Sequence, residues 1–410
     1  MTAAERVVWK FGGTSVGDPA RLRAVAERLV AAHRQGRQVV AVLSAMGDAT
    51  DDLARLAHDL APHPHPREMD ALLSVGEVVS CALAAIAVQA LGERSVSLTA
   101  GQAGVHTDGA YGNARLHRID ADRVTAALDA GAVVLVTGYQ GVSDTGDVTT
   151  LGRGGSDASA VALAAALGLS HCDIFTDVPG VFTADPRLVP AARRLDGLGH
   201  DEMVHLADAG AQVLQPRAVE LAAAHGIDIH VRSAFTTEPG TWIRKDPSMF
   251  ETSTVTGVAH RRRDPVYTVR GMTPATVSGA LAARRAAVGA IIRDDGQVRF
   301  TVPGAEPADV VAAFAAVDAD VTVRADLASV SVVCPAAGER GDITTRMLGA
   351  LERAGIEVYL VTSTPGRVSG HVADGLVEHA ARALHEAFGL DVPAVYADRP
   401  GAVVGSGRAA

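Results

Sequence analysis

Lysine is almost absent. Of the 37 basic side chains in this 410-residue chain, only Lys10 and Lys245 are lysines. A chain that uses arginine wherever a cation will do keeps lysine where a compact point charge is needed, so Lys10 is a candidate for a task arginine cannot perform. Lys245, in Arg244-Lys245-Asp246-Pro247, reads as a solvated linker residue. Cysteine is scarce too. Cys81, Cys172 and Cys334 are odd in number and far apart, which excludes a disulfide framework and zinc-ligand spacing. They read as small buried hydrophobes in a reducing compartment. Aromatics make up 4% of the chain, too few for the stacking platforms of single-strand nucleic-acid binders. The basic run Arg261–Arg263 is short, adjoins Asp264, and sits in a chain of net charge -10, so DNA or RNA is excluded as the main partner. No His/Cys cluster has metal-ligand spacing, and His63 and His65 read as solvated residues of a proline-rich loop. Met1–Trp9 carries no apolar signal core, and Cys81–Leu91 falls short of the ~20 residues that span a bilayer. The expectation is a soluble cytoplasmic protein with no membrane partner.

What remains is a chain able to bury a large core: 48% hydrophobic residues and 42 glycines. At ~100–200 residues per domain it holds two or three domains. Val7–Phe11 reads as a buried strand and Gly12–Ser15 as a turn. Asp18-Pro19 reads as a helix start, with Asp as cap and Pro in the first turn. Leu22, Val25 and Leu29 keep helical spacing, and Val39–Leu43 is the next strand. Helices at Glu68–Leu91, Asp120–Asp129 and Asp157–Leu167 alternate with strands at Arg94–Leu98, Ala132–Thr137, Cys172–Thr176 and Ile227–Arg232. The fold class is α/β, a largely parallel sheet sandwiched by helices over residues 1–245. In such sheets ligands bind at the carboxyl ends of the strands. A linker is expected at 246–256. Two units of βαββαβ type, 257–325 and 326–392, follow as α+β repeats, with a helix at Ala282–Val288 in the first. A frayed tail is expected at 393–410.

Five segments can do chemistry. In Lys10-Phe11-Gly12-Gly13-Thr14-Ser15 a strand delivers a lysine to the sheet edge. Two glycines let backbone N–H groups approach an anion, and a helix start adds a favourable dipole. That is a phosphate cradle, but not a P-loop, because the lysine precedes the glycines. In Gly152-Arg153-Gly154-Gly155-Ser156-Asp157, Arg153 can grip a carboxylate with both arms. Ser156 and the amides of Gly154 and Gly155 can hold an anion at a helix start. Ser44–Thr50 offers hydroxyls at the same sheet edge. Glu77, among Val75, Val78 and Val79, needs a buried partner or a ligand amine. Thr176–Arg187 is a strand end and a charged double turn suited to a nucleotide.

The residues Lys10–Val16, Ser44–Asp48, Gly152–Asp157 and Thr176–Arg187 closely resemble the aspartate kinase family, in order and spacing. Gly210–Arg217 is similar to the family's next motif. The resemblance is strong over roughly residues 5–245. It continues more weakly into the C-terminal part, which looks like the family's paired ACT domains.

The resemblance implies phosphoryl transfer from Mg-ATP to the β-carboxylate of L-aspartate, the entry step to lysine, threonine and methionine. Lys10, Phe11, Gly12 and Gly13 would hold ATP, with Thr176, Asp177, Phe182, Asp185, Pro186, Arg187 and Gln212 along the nucleotide. Ser44, Thr50, Glu77, Arg153 and Ser156 would bind aspartate, Glu77 taking the amino group and Arg153 the α-carboxylate. Lys10, Arg153 and Asp157 would be catalytic. No protein-held metal is implied, since magnesium arrives on ATP. The ACT repeats imply a homo-oligomer.

The chain also departs from the family. Gln212 stands where a phosphate-contacting lysine is usual, Phe182 where a tyrosine is, and Gln215 where a histidine is. Val269–Pro274 lacks the usual Asp-x-Pro-Gly, Cys334–Asp342 is a different loop, and Ser363–Arg367 carries Pro365-Gly366 where Ser-Glu-Ile is usual. Weakened feedback is expected. Two alternatives stay open: a same-fold kinase retuned to another small acid, and a non-catalytic regulatory subunit.

Overall fold

The structure is a computed structural model that describes residues 4–245, 255–284, 286–315, 319–335 and 340–392. The expected tail and most of the expected linker lie outside the described residues. The chain forms two compact units, one of residues 4–183, 194–245 and 259–261, the other of 184–193, 255–258 and 262–392.

In chain order the first unit begins with β1 (Arg6–Phe11), α1 (Pro19–Arg34), β2 (Gln38–Leu43), α2 (Ala49–Leu60), α3 (Pro66–Leu73), α4 (Val75–Ala90) and β3 (Ser95–Leu98). It continues through β4 (Val105–Thr107), β5 (Leu116–Ile119), α5 (Asp122–Asp129), β6 (Val133–Thr137), β7 (Gln140–Val142), β8 (Val148–Thr150), α6 (Gly155–Ala166) and β9 (His171–Thr176). It closes with β10 (Gly197–Gly199), α7 (His200–Asp208), α8 (Pro216–His225), β11 (Asp228–Ser233) and β12 (Thr241–Arg244). The central sheet has the order β10-β12-β11-β9-β1-β2-β6-β3. Its pairs are parallel except β11 with β12. A small sheet, β5-β4-β7-β8, stands beside it.

Side-chain alternation along β1 decides the layout. Val7, Trp9 and Phe11 enter one core with Leu22, Val25 and Leu29 of α1 and Cys81, Ala84 and Val88 of α4. The alternate residues Val8 and Lys10 turn to the opposite face, where α6 packs on β1 and β9. Asp18 caps α1 as its sequence position predicts, accepting from the Ala20 and Arg21 amides at 2.9 Å. The helix expected at Glu68–Leu91 runs over Pro66–Ala90 and divides at Ser74 into α3 and α4. At the division the Ser74 hydroxyl donates to the Ala71 carbonyl and the Ser74 carbonyl accepts from Gln140. Taken together Pro66–Ala90 spans 25 residues, long and apolar enough by length and composition to cross a membrane, unlike the shorter stretch read from the sequence. Cys81, Ala84 and Val88 of this segment lie in the core of the unit.

The second unit carries the start of β13 (Gly257–Arg261, of which Ala259–Arg261 group with the first unit), β14 (Val266–Arg270), α9 (Pro274–Ala282), β15 (Ile291–Asp294), β16 (Gln297–Thr301), α10 (Pro307–Ala315) and β17 (Val321–Arg324). Then follow β18 (Leu327–Val333), α11 (Arg340–Arg353), β19 (Leu360–Thr364), β20 (Arg367–Ala373) and α12 (Val377–Ala387). Two four-stranded sheets result, β15-β16-β14-β17 and β13-β18-β20-β19. Val277, Leu281, Val310 and Phe314 of α9 and α10 share a core with the first sheet. Ile343, Met347, Leu351 and Leu384 of α11 and α12 share one with the second.

Two expectations need correcting. The sequence pattern places residues 257–261 in the first repeat, but β13 is an edge strand of the second repeat's sheet, so the first repeat is inserted in the second. The helix expected at 282–288 lies earlier, at Pro274–Ala282. The Thr273 hydroxyl accepts from the Thr276 amide as N-cap, and Pro274 occupies the first turn.

Candidate active site

The carboxyl ends of β1 and β2 and the start of α6 enclose a cleft of about 270 Å³. Lys10, Gly13, Ser44, Thr50, Glu77, Arg153, Ser156 and Asp157 line it, with Tyr139 and the glycines 152, 154 and 155. Lys10 Nζ meets Asp157 Oδ1 at 2.6 Å, and their side chains are 12% and 8% exposed. A largely buried cation that lines the cleft is thus held by one carboxylate. Gly13 is required by close approach: a Cβ there would stand 2.9 Å from the Ala45 carbonyl oxygen, so the turn after β1 can lie against the loop after β2. Gly154 caps α6 at φ 70°, and a Cβ would overlap the Gln215 side chain at 2.1 Å.

Glu77 is 3% exposed. Its Oε1 accepts the Ala45 amide at 3.0 Å, and its Oε2 has no partner among the described residues. Burial pushes its pKa up to about 7, against the lowering effect of the Ala45 amide. A half-satisfied buried carboxylate in a cleft is a receptor for a cationic ligand group. Arg153 is exposed at the cleft mouth. Among the described residues no group of three or more His, Cys, Asp or Glu is placed to hold a metal ion.

The structure gathers Lys10, Gly13, Ser44, Thr50, Glu77, Arg153, Ser156 and Asp157 in one place, as the sequence predicts. Other expectations fall elsewhere. The Phe11 side chain does not face the cleft: it is 1% exposed and stacks on Phe175 at 4.7 Å, because alternation turns it away from Lys10. Phe11 is not among the residues that line the cleft. The Gly12 amide donates to the Phe175 carbonyl and the Gly155 amide to the Gly152 carbonyl, so neither is free to cradle an anion.

Thr176, Asp177, Phe182 and Gln212 are not among the cleft's lining residues. The Thr176 hydroxyl donates to Asp177, Phe182 bridges to Arg194, and Gln212 is exposed between α7 and α8. Asp185, Pro186 and Arg187 belong to the second unit, where the Arg187 guanidinium returns to Asp185 at 2.7 Å. Pro365-Gly366 forms the two-residue turn between β19 and β20. Part of the Cys334–Asp342 loop lies outside the described residues.

Sequence reasoning missed Tyr139. It lines the cleft at φ 68°, which is rare for a bulky residue, and burial raises its hydroxyl's pKa. The only sequence signal is its position between Gly138 and Gly141 at the end of a buried strand.

A parallel sheet whose carboxyl edge offers a lysine–aspartate pair, glycine turns and an open carboxylate defines a small-acid kinase. The chain matches the amino acid kinase family over residues 5–233. An aspartokinase of Geobacillus stearothermophilus is 42% identical over 395 residues, covering 94% of this chain and 97% of that protein. Aspartokinase 2 of Bacillus subtilis is 40% identical over 399 residues, covering 94% and 98%. The fold also matches the crystal structure of Escherichia coli aspartokinase III in complex with aspartate and ADP, with a TM-score of 0.79 at 24% identity over 93% of this chain and 99% of that one. The chain belongs to the aspartokinase family.

Proposed function

We infer that this chain is an ATP-dependent aspartate kinase, which moves the γ-phosphoryl group of ATP onto the β-carboxylate of L-aspartate. The observation that carries the reading is the single cleft in which the Lys10–Asp157 pair, the open Glu77 oxygen and Arg153 converge. Glu77 takes the substrate ammonium and Arg153 its α-carboxylate, while Ser44, Thr50 and Ser156 offer hydroxyls. The β-carboxylate is then directed toward Lys10. A carboxylate is ionised near pH 7, so it attacks phosphorus without a general base. The work left to the protein is positioning, and neutralising two converging anions. Lys10 supplies the point charge on the transferring phosphoryl group, and Asp157 fixes the lysine's direction. The bond from the β-carboxylate oxygen to phosphorus forms as that to the ADP oxygen breaks. Magnesium, when bound, would be carried by the nucleotide's phosphates and add positive charge there.

We place the nucleotide along the first-unit loops that hold Thr176, Asp177, Phe182 and Gln212. The two antiparallel sheets with their helices are ACT domains. We assign them to homo-oligomer formation, with feedback by lysine or threonine weak, because the Val269–Pro274 and Ser363–Arg367 loops lack the family's usual residues. A cytoplasmic location fits these substrates. The test is trapping: with ATP and aspartate, hydroxylamine captures the acyl phosphate as a hydroxamate. No hydroxamate from folded protein sinks the reading.

A further inference from the structure

Asp70 has no place in that chemistry, yet it is 1% exposed. Its carboxylate is fully engaged. Both oxygens accept the Gly112 amide at 3.0 Å, Oδ2 accepts the Thr150 amide at 2.8 Å, and Oδ1 accepts the Thr150 hydroxyl at 2.7 Å. A carboxylate is taken this far from water only when its lone pairs are satisfied, and charged hydrogen bonds of this length are strong.

What the bonds connect matters more than their number. Asp70 lies on α3, two turns ahead of Glu77. Thr150 ends β8, three residues ahead of Arg153. A second tie runs alongside. Gln140, 3% exposed, faces Thr150 across the β7–β8 pair and donates to the Ser74 carbonyl at 2.8 Å. Two neighbouring residues of one hairpin therefore grip the segment that leads into Glu77's helix. On the far side, Arg217 donates to the Leu151 carbonyl at 2.7 Å and steadies the start of the Arg153 loop.

Resting on the roles given above to Glu77 and Arg153, we propose that Asp70, seconded by Gln140, is a positioning residue that sets the separation between the ammonium and α-carboxylate subsites. By fixing how the substrate's backbone sits, the clamp fixes how far its side-chain carboxylate reaches toward Lys10. It selects the acid by length. A catalytic constellation tolerates only small misplacement, so a slackened clamp costs aspartate far more than ATP, whose assigned loops carry neither Asp70 nor Thr150.

Steady-state kinetics on purified full-length protein test this. Wild type is assayed first with aspartate and with glutamate, its homologue one methylene longer. Asp70→Ala should raise the aspartate KM about tenfold while the ATP KM stays within about twofold, and should narrow the preference for aspartate over glutamate. Asp70→Asn keeps one acceptor for the Thr150 amide and can donate to its hydroxyl, so it should restore most of the aspartate KM and the preference. Gln140→Leu should shift both in the direction of Asp70→Ala, by less. Should Asp70→Ala fail to fold, Asp70→Asn and Gln140→Leu carry the test through the change in preference. Equal rises in both KM values, or unchanged selectivity in folded variants, would mean that Asp70 is a structural carboxylate alone and would overturn the clamp. A wild type inert toward aspartate sinks the substrate reading itself, and the clamp with it.

Discussion

Glu77→Gln should make the unliganded protein more stable at pH 8 and unable to bind aspartate well. The Glu77 carboxyl is lifted by burial from an ordinary value of 4.5 to about 7. That lift corresponds to roughly 3 kcal/mol between its two protonation states. The sign follows from linkage. The folded value lies above the unfolded one, so the native state binds this proton more tightly. The stabilising contribution is fully present below pH 4.5 and is lost as pH rises through about 7. Glutamine never ionises. Its carbonyl can keep the Ala45 amide bond seen at 3.0 Å, although its NH₂ then occupies the unpartnered position. That orphaned donor offsets part of the gain, leaving roughly 1–2 kcal/mol at pH 8 and little or none at pH 5. Urea unfolding of both proteins at the two pH values, without ligand, measures the difference. The same substitution removes the charge that meets the substrate ammonium, so the aspartate KM should rise by roughly 10²-fold while the ATP KM changes little. In wild type the aspartate KM should climb as pH falls below about 7, and in Glu77→Gln it should not. A Gln variant whose stability advantage does not grow with pH, or one with an unchanged aspartate KM, would refute the assignment of Glu77 as a strained amine receptor.

Lys10→Ala should lower kcat by roughly 10²–10³, since the transferring phosphoryl group loses its point charge. It should also destabilise the fold, because Asp157 is left as an unpaired buried anion; near-wild-type kcat would relocate the phosphate site. Arg153→Ala should raise the aspartate KM more than the ATP KM, read from the two saturation curves. Gln212→Lys restores a cation at an exposed position and should tighten nucleotide binding without loss of stability; weaker binding by calorimetry would mean that the pocket is built around the amide. Lysine and threonine, titrated singly and together against the kinase rate, should inhibit weakly, and strong sub-millimolar inhibition would restore feedback to these ACT domains.

Features encoded over a few consecutive residues are legible in the sequence itself. Asp18-Pro19 announces a helix start by its own capping chemistry, and the cap forms at 2.9 Å. The retained Lys10 before two glycines points to the sheet edge where Lys10 and Gly13 do line the cleft, and the parallel-sheet class follows from alternating strands and helices. Period-two alternation in β1 also holds the answer for Phe11: if Lys10 faces the cleft, its neighbour must face the core.

What the sequence could not carry depends on partners far apart in the chain. Asp70 and Thr150 are 80 residues apart, and only the packing of α3 on the β7–β8 hairpin brings the carboxylate to its donors. The burial of Glu77 is read from its valine-rich surroundings, but the one amide that meets it, from the loop after β2, has no local signature. Tyr139 takes a left-handed backbone against its own preference, with no residue-type signal for it. The insertion of one ACT repeat within the other is settled by β13 pairing beside β18, a contact with no local signature. The residue types at the cleft are thus written in short motifs. Their separations, charge states and supports are decided by long-range packing, because hydrogen-bond geometry and desolvation exist only once distant segments meet.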